Sequence, residues 1–144
     1  MYVEPYLFFD GRCEEALSFY REALGAETTF LLRFKDSPGP PAEGCGQGQP
    51  DKVMHAAFRV GDTLIMASGG RCEGRPSFQG FALTISVRDE AEAERVFTRL
   101  SQGGQVQMPL AQTFFSPRFG MVAARFGVGW MVIVPAEEEA KPKR

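Results

Sequence analysis

The chain has 144 residues, 44% hydrophobic and 24% charged, a balance that suits one globular domain or two fused half-domains and excludes disordered, collagen-like and membrane-spanning proteins. A formal net charge of −2 supplies no basic field for phosphates, so neither nucleic acid nor a membrane is an expected partner. Cys13, Cys45 and Cys72 are too few and too widely spaced for a disulfide framework or a zinc ribbon, and Met1–Pro5 shows no leader, so the protein reads as cytoplasmic.

Short apolar runs at Tyr6–Phe9, Thr28–Phe34, Val53–Val60, Thr63–Ala67, Phe81–Val87, Val106–Leu110, Gly120–Phe126 and Trp130–Val134 predict eight strands. Helical spacing appears twice, at Cys13, Ala16, Leu17, Tyr20 and Leu24 and again at Ala93, Val96, Phe97 and Leu100. Asp89 with Glu92 reads as a capping box, while Gly25 and Gly103-Gly104 supply stops. Asp36–Pro50, with four glycines and four prolines, reads as a surface loop: either a lid over a pocket or a tolerated insertion. Its Gly44–Gln49 run fails the G-x-G-x-x-G pattern at Gln49 and precedes no helix, so it does not cradle phosphates. Residues 136–144 are a polar tail holding the basic cluster Lys141, Lys143 and Arg144.

Strand, helix and three strands therefore occur twice, an α+β fold with a first module at 1–67 and a second at 79–135. Phe58–Met66 lies against Ala124–Val132 at an offset of 66, pairing Arg59 with Arg125 and His55 with Met121. The helices match at 78, Phe19 with Phe97 and Gly25 with Gly103. The loop at 36–50 supplies the difference of about 12 residues.

Pro5–Gly11, Glu15–Tyr20 and Ala23–Ala26, continued by His55-Ala56, Gln112-Thr113-Phe114 and Phe126–Met131, resemble the PhnB-like branch of the vicinal oxygen chelate superfamily, which includes glyoxalase I, extradiol dioxygenases and the fosfomycin- and bleomycin-resistance proteins. The resemblance spans nearly the whole chain. It implies a single glyoxalase-like domain over 1–144, two β-α-β-β-β modules whose curved mixed sheets form a cleft, and a homodimer. Metal-dependent members carry four His, Gln or Glu ligands on the first and last strands of the modules. The matching positions here are Pro5, Met66, Ala82 and Ile133, with Glu4 the nearest carboxylate, so neither a catalytic metal nor any other cofactor is expected. Proteins of this kind have been labelled demethylubiquinone methyltransferases, yet no strand–glycine–helix unit for S-adenosylmethionine is visible.

The function expected is binding of a small organic ligand in an aromatic-lined cleft. Its candidate residues are Tyr6, Phe8, Phe114, Phe115 and Trp130 for stacking, Gln112 and Thr113 as orienting polar groups, and Arg118 as an anion contact. Arg59 and Arg125 read as a salt-bridged exterior. His55, the single histidine, is the catalytic candidate, as a general base or proton shuttle. Cys45 and Cys72 read as incidental thiols. Two alternatives stand beside this reading: a metalloenzyme recruiting His55, Glu4, Glu43 or Glu73, and a dimeric scaffold without a ligand.

Overall fold

The computed structural model describes residues 1–37, 50–70 and 76–136. The loop at 38–49, with Glu43, Cys45 and the glycine run, lies outside them, as do Cys72, Glu73 and the tail from 137. The chain packs as two compact units, Met1–Pro76 and Ser77–Arg144.

The first unit runs β1 (Tyr6–Phe8), α1 (Cys13–Leu24), β2 (Glu27–Arg33), a 3₁₀ turn at Phe34–Asp36, β3 (Val53–Val60) and β4 (Thr63–Ser68). Its sheet has the order β1-β4-β3-β2, with β1 parallel to β4 and the other pairs antiparallel. Alternation gives the sheet two faces. Ala56 and Phe58 pair with Ala67 and Ile65, and α1 packs there, its buried Tyr20 stacked on Phe58 with ring centroids 5.8 Å apart. The opposite, open face carries Tyr6 and Met66, which pair with one another, together with Phe8, His55 and Ala57. Gly25 ends α1 at φ 67, its N–H bonded to the Arg21 carbonyl at 3.0 Å, a left-handed cap that glycine adopts at least cost.

The second unit repeats this order with β5 (Leu83–Ser86), α2 (Glu90–Ser101), β6 (Gln105–Ala111), β7 (Phe119–Ala123) and β8 (Gly129–Ile133), in the sheet order β5-β8-β7-β6. Asp89 Oδ1 accepts the Glu92 N–H at 2.8 Å, and the Glu92 carboxylate accepts the Arg88 N–H at 2.9 Å. The capping box forms with its return arm one residue earlier than the motif's usual target. Trp130, Val132 and Val122 share the face covered by α2, while Met131, Ile133 and Met121 share the other.

The register corrects the internal alignment. Tyr6 pairs with Met66 as Thr84 pairs with Met131, and Ala57 pairs with Met66 as Met121 pairs with Met131. The offset between β3 and β7 is therefore 64, so His55 corresponds to Phe119 and Arg59 to Ala123. The cause is the longer β7–β8 turn. Val60 and Thr63 are joined by two residues, whereas the corresponding Ala124 and Val128, whose N–H and C=O bond at 2.9 Å, enclose three, with Gly127 at φ 102. Both units also carry a register shift at equivalent points of their edge strands, between Thr28 and Phe30 and between Val106 and Met108.

Candidate functional site

On the open face of the first sheet, β1, β4 and β3 bring Tyr6 beside His55, 49 positions away in the chain. The Tyr6 hydroxyl lies 2.8 Å from His55 Nδ1. Phe8 lies on Tyr6 with centroids 4.9 Å apart, and Phe30 lies on the other side of His55 at 5.7 Å. Tyr6 is 37% exposed and Phe30 50%, so the rings are reachable. Phe30 was not among the candidates. Straight alternation from Thr28, which faces Phe58, puts Phe30 on the helix side, but the register shift pairs it with Ala57 and turns it to the open face.

Ser68 is the other residue that the sequence did not single out. It is 5% exposed and its Oγ accepts the Gly70 N–H at 2.8 Å. Burial raises the Tyr6 phenol above its ordinary pKa and the neighbouring Ser68 hydroxyl partly offsets this, so the phenol keeps its proton at neutral pH.

In the second unit the candidates at 112–118 form a tied loop. The Thr113 N–H donates to the Ser116 carbonyl at 2.8 Å, and Thr113 Oγ1 accepts the Phe115 N–H at 3.2 Å. Buried Ser116 anchors the loop, its Oγ 2.6 Å from the Val134 carbonyl while accepting the Arg118 N–H at 3.1 Å. Thr113 thus spends its hydroxyl on the turn, Gln112 is exposed, and Phe114 stands fully exposed with its ring edge-on to Phe115 at 5.1 Å.

Two candidates are placed differently from the expectation. Arg118 Nε lies 3.4 Å from Glu90 and 3.7 Å from Glu94, carboxylates one turn apart on α2. Ion pairing of a half-buried guanidinium makes Arg118 a brace for α2 rather than a free anion contact. Trp130 is 3% exposed on the face shared with Val132, so its ring belongs to the core, where burial of a large aromatic is most favourable. Arg59 and Arg125 are both exposed.

The expected metal positions do not fit a hard divalent ion. Of Pro5, Met66, Ala82 and Ile133, Met66 alone has a donor side chain, a soft thioether. The Pro5 carbonyl is bonded to the Met66 N–H at 3.0 Å, and Thr84 Oγ1 turns to Met131 Sδ at 3.7 Å. Among the described residues no group of three or more His, Cys, Asp or Glu is placed to hold a metal. Cys13 is buried and burial pushes its thiol up to about 12, so it is no nucleophile.

A family model described as 3-demethylubiquinone-9 3-methyltransferase matches residues 2–133. Protein YjdN of Escherichia coli is 34% identical, over 96% of this chain and 98% of its own. The crystal structure of PA1353 from Pseudomonas aeruginosa is 41% identical with a TM-score of 0.80, over 94% of this chain and 98% of that one. A PhnB protein from Bacillus cereus, which carries the same methyltransferase description, is 27% identical with a TM-score of 0.75 over 93% and 99%. The fosfomycin resistance protein FosX from Mesorhizobium loti is similar in fold alone, at 11% identity and a TM-score of 0.62 over 96% and 94%.

Proposed function

We propose a ligand-binding function for this chain, which belongs to the PhnB-like family described as 3-demethylubiquinone-9 3-methyltransferase and has the fold of the glyoxalase and FosX proteins of the vicinal oxygen chelate superfamily. The ligand is a small organic molecule held on the open face of the first sheet against Tyr6, Phe8, Phe30 and His55, without a catalytic divalent metal. The observation that carries this is the pair of aromatic walls, half-buried Phe8 and exposed Phe30, on either side of a hydrogen-bonded Tyr6–His55 pair: apolar contact area with a few orienting polar atoms. Phe114 and Phe115, with Gln112, offer a second apolar and polar surface in the other unit.

Methyl transfer is no part of the proposal. Nucleotide-type cofactors sit at a helix N-terminus beyond the C-terminal edge of a parallel sheet, whereas each sheet here is mixed with a single parallel pair, and the first turn of its helix carries acidic residues, Glu14 and Glu15 in α1 and Glu90 and Glu92 in α2. A homodimer and a cytoplasmic location complete the reading. Val106 and Met108, each 44% exposed on edge strand β6, support the first, and the free thiol of Cys13 the second.

A thermal-shift screen of small aromatic acids, ketones and alcohols tests the proposal, since a ligand bound only to the native state raises Tm by mass action. Stabilising compounds lose affinity in Phe30→Ala while the unliganded Tm stays within a few degrees, and dialysis against EDTA leaves both unchanged. About one tightly bound metal ion per chain, with His55→Ala releasing it, overturns the metal-free reading in favour of a metalloenzyme.

A further inference from the structure

We propose that Tyr6 and His55 form a one-way hydrogen-bond chain toward the ligand, one that makes the His55 Nε2–H a fixed donor for an acceptor oxygen, so that the ligand is a carbonyl or carboxylate compound with an apolar body. The direction is set at its inner end. The Tyr6 phenol keeps its proton at neutral pH and so has one to give, and the acceptor 2.8 Å away is His55 Nδ1.

A neutral imidazole that accepts at one nitrogen carries its proton on the other. His55 thus presents Nε2–H, for which no hydrogen-bond partner occurs among the described residues. The polarity is opposite to that of a general base: the ring arrives at the ligand as a donor with its lone pair already used. Phe30 and Tyr6 flank the ring at 5.7 and 5.5 Å. They supply apolar walls beside a single polar point, which excludes ligands whose only polar group is a donor, such as an amine. This inference rests on the open face of the first sheet being the ligand site.

Because His55 is the single histidine, its two ring nitrogens are read without ambiguity by 15N NMR on the full chain, under conditions in which the spectrum itself shows the neutral ring. The expected spectrum shows Nε2 protonated and Nδ1 not, a preference that Tyr6→Phe abolishes. Addition of benzoate or acetophenone shifts Nε2, benzylamine does not, and Tyr6→Phe weakens benzoate binding roughly fivefold. An Nδ1–H tautomer in the free protein overturns the chain while leaving the ligand site standing. Benzoate that moves the Tyr6 and Phe30 ring signals but not Nε2 overturns the donor role alone. Ring signals unmoved by all three compounds overturn the ligand site itself, whatever the tautomer.

Discussion

Arg33 on β2 grips the Glu14 carboxylate in the first turn of α1 through both terminal nitrogens, at 2.9 and 2.7 Å, and spends one of them a second time on the Asp51 carbonyl at 2.8 Å. This two-pronged contact ties the helix to the sheet edge at the point where the chain leaves for the loop at 38–49. Arg33's hydrogen bond is the main reason that the Glu14 pKa falls below its ordinary value, with burial opposing it and Arg33's charge adding to it. A depressed carboxylate pKa stabilises the fold above the unfolded value, about 4.5, and that contribution disappears as pH falls through the folded value. Arg33→Met therefore lowers the urea midpoint more at pH 7 than in acid, where only the contact to the Asp51 carbonyl is left to lose, as chemical denaturation across the pH range checks.

Asp89 holds the first turn of α2 from outside the helix. Asp89→Ala removes the acceptor of the Glu92 N–H and costs about 1 kcal/mol, the usual value of an N-cap. Asp89→Ser recovers most of it. Urea denaturation of the three proteins gives the comparison.

Gly120 on β7 lies directly against the Phe97 side chain of α2. A Cβ there meets the Phe97 ring at 2.7 Å and Leu110 Cδ2 at 3.1 Å. Gly120→Ala overpacks the contact and destabilises by about 1–3 kcal/mol. Combined with Phe97→Leu, the loss is smaller than the sum of the two single losses, because both substitutions act on one space. A double-mutant cycle of Tm and urea midpoint tests this.

Cys13, buried and with its thiol pushed up to about 12, reacts only when the first unit opens. With Cys45 and Cys72 replaced by serine, iodoacetamide modifies the native protein no faster than it unfolds, while the chain in 6 M guanidinium reacts at once. Mass spectrometry over a time course distinguishes this from an accessible thiol.

Much of the scaffold was legible in the residues. The i, i+3, i+4 spacing from Cys13 and from Ala93 located helices that run Cys13–Leu24 and Glu90–Ser101, because a buried helix face must repeat at that period. Asp89, Glu92 and Gly25 announced their caps. What stayed hidden depended on register and turn length. Tyr6 meets His55 only through the order β1-β4-β3, which no local pattern encodes, and the equivalence of Arg59 with Arg125 failed because identical residues flank turns of different length. Trp130 illustrates the same limit on a smaller scale: an aromatic in an alternating strand faces either way until its neighbours are known, and the pairing with Val122 and Leu83 turned it inward.

The irregularity in β2 carries a lesson about how such a surface changes. Thr29 is the added residue, its hydroxyl bonded to the Ala57 carbonyl at 3.3 Å. Deleting that one residue would leave Phe30 opposite Ala57, on the side it now faces. Drawing Thr29 into the ladder opposite Ala57 would instead make the following side chains exchange sides: Phe30 would leave the wall beside His55 and Leu31 would take its place. A one-residue slip would thus swap an aromatic wall for an aliphatic one, with no substitution at either position. In this fold a bulge in an edge strand is as direct a means of altering what is bound as the identity of its residues.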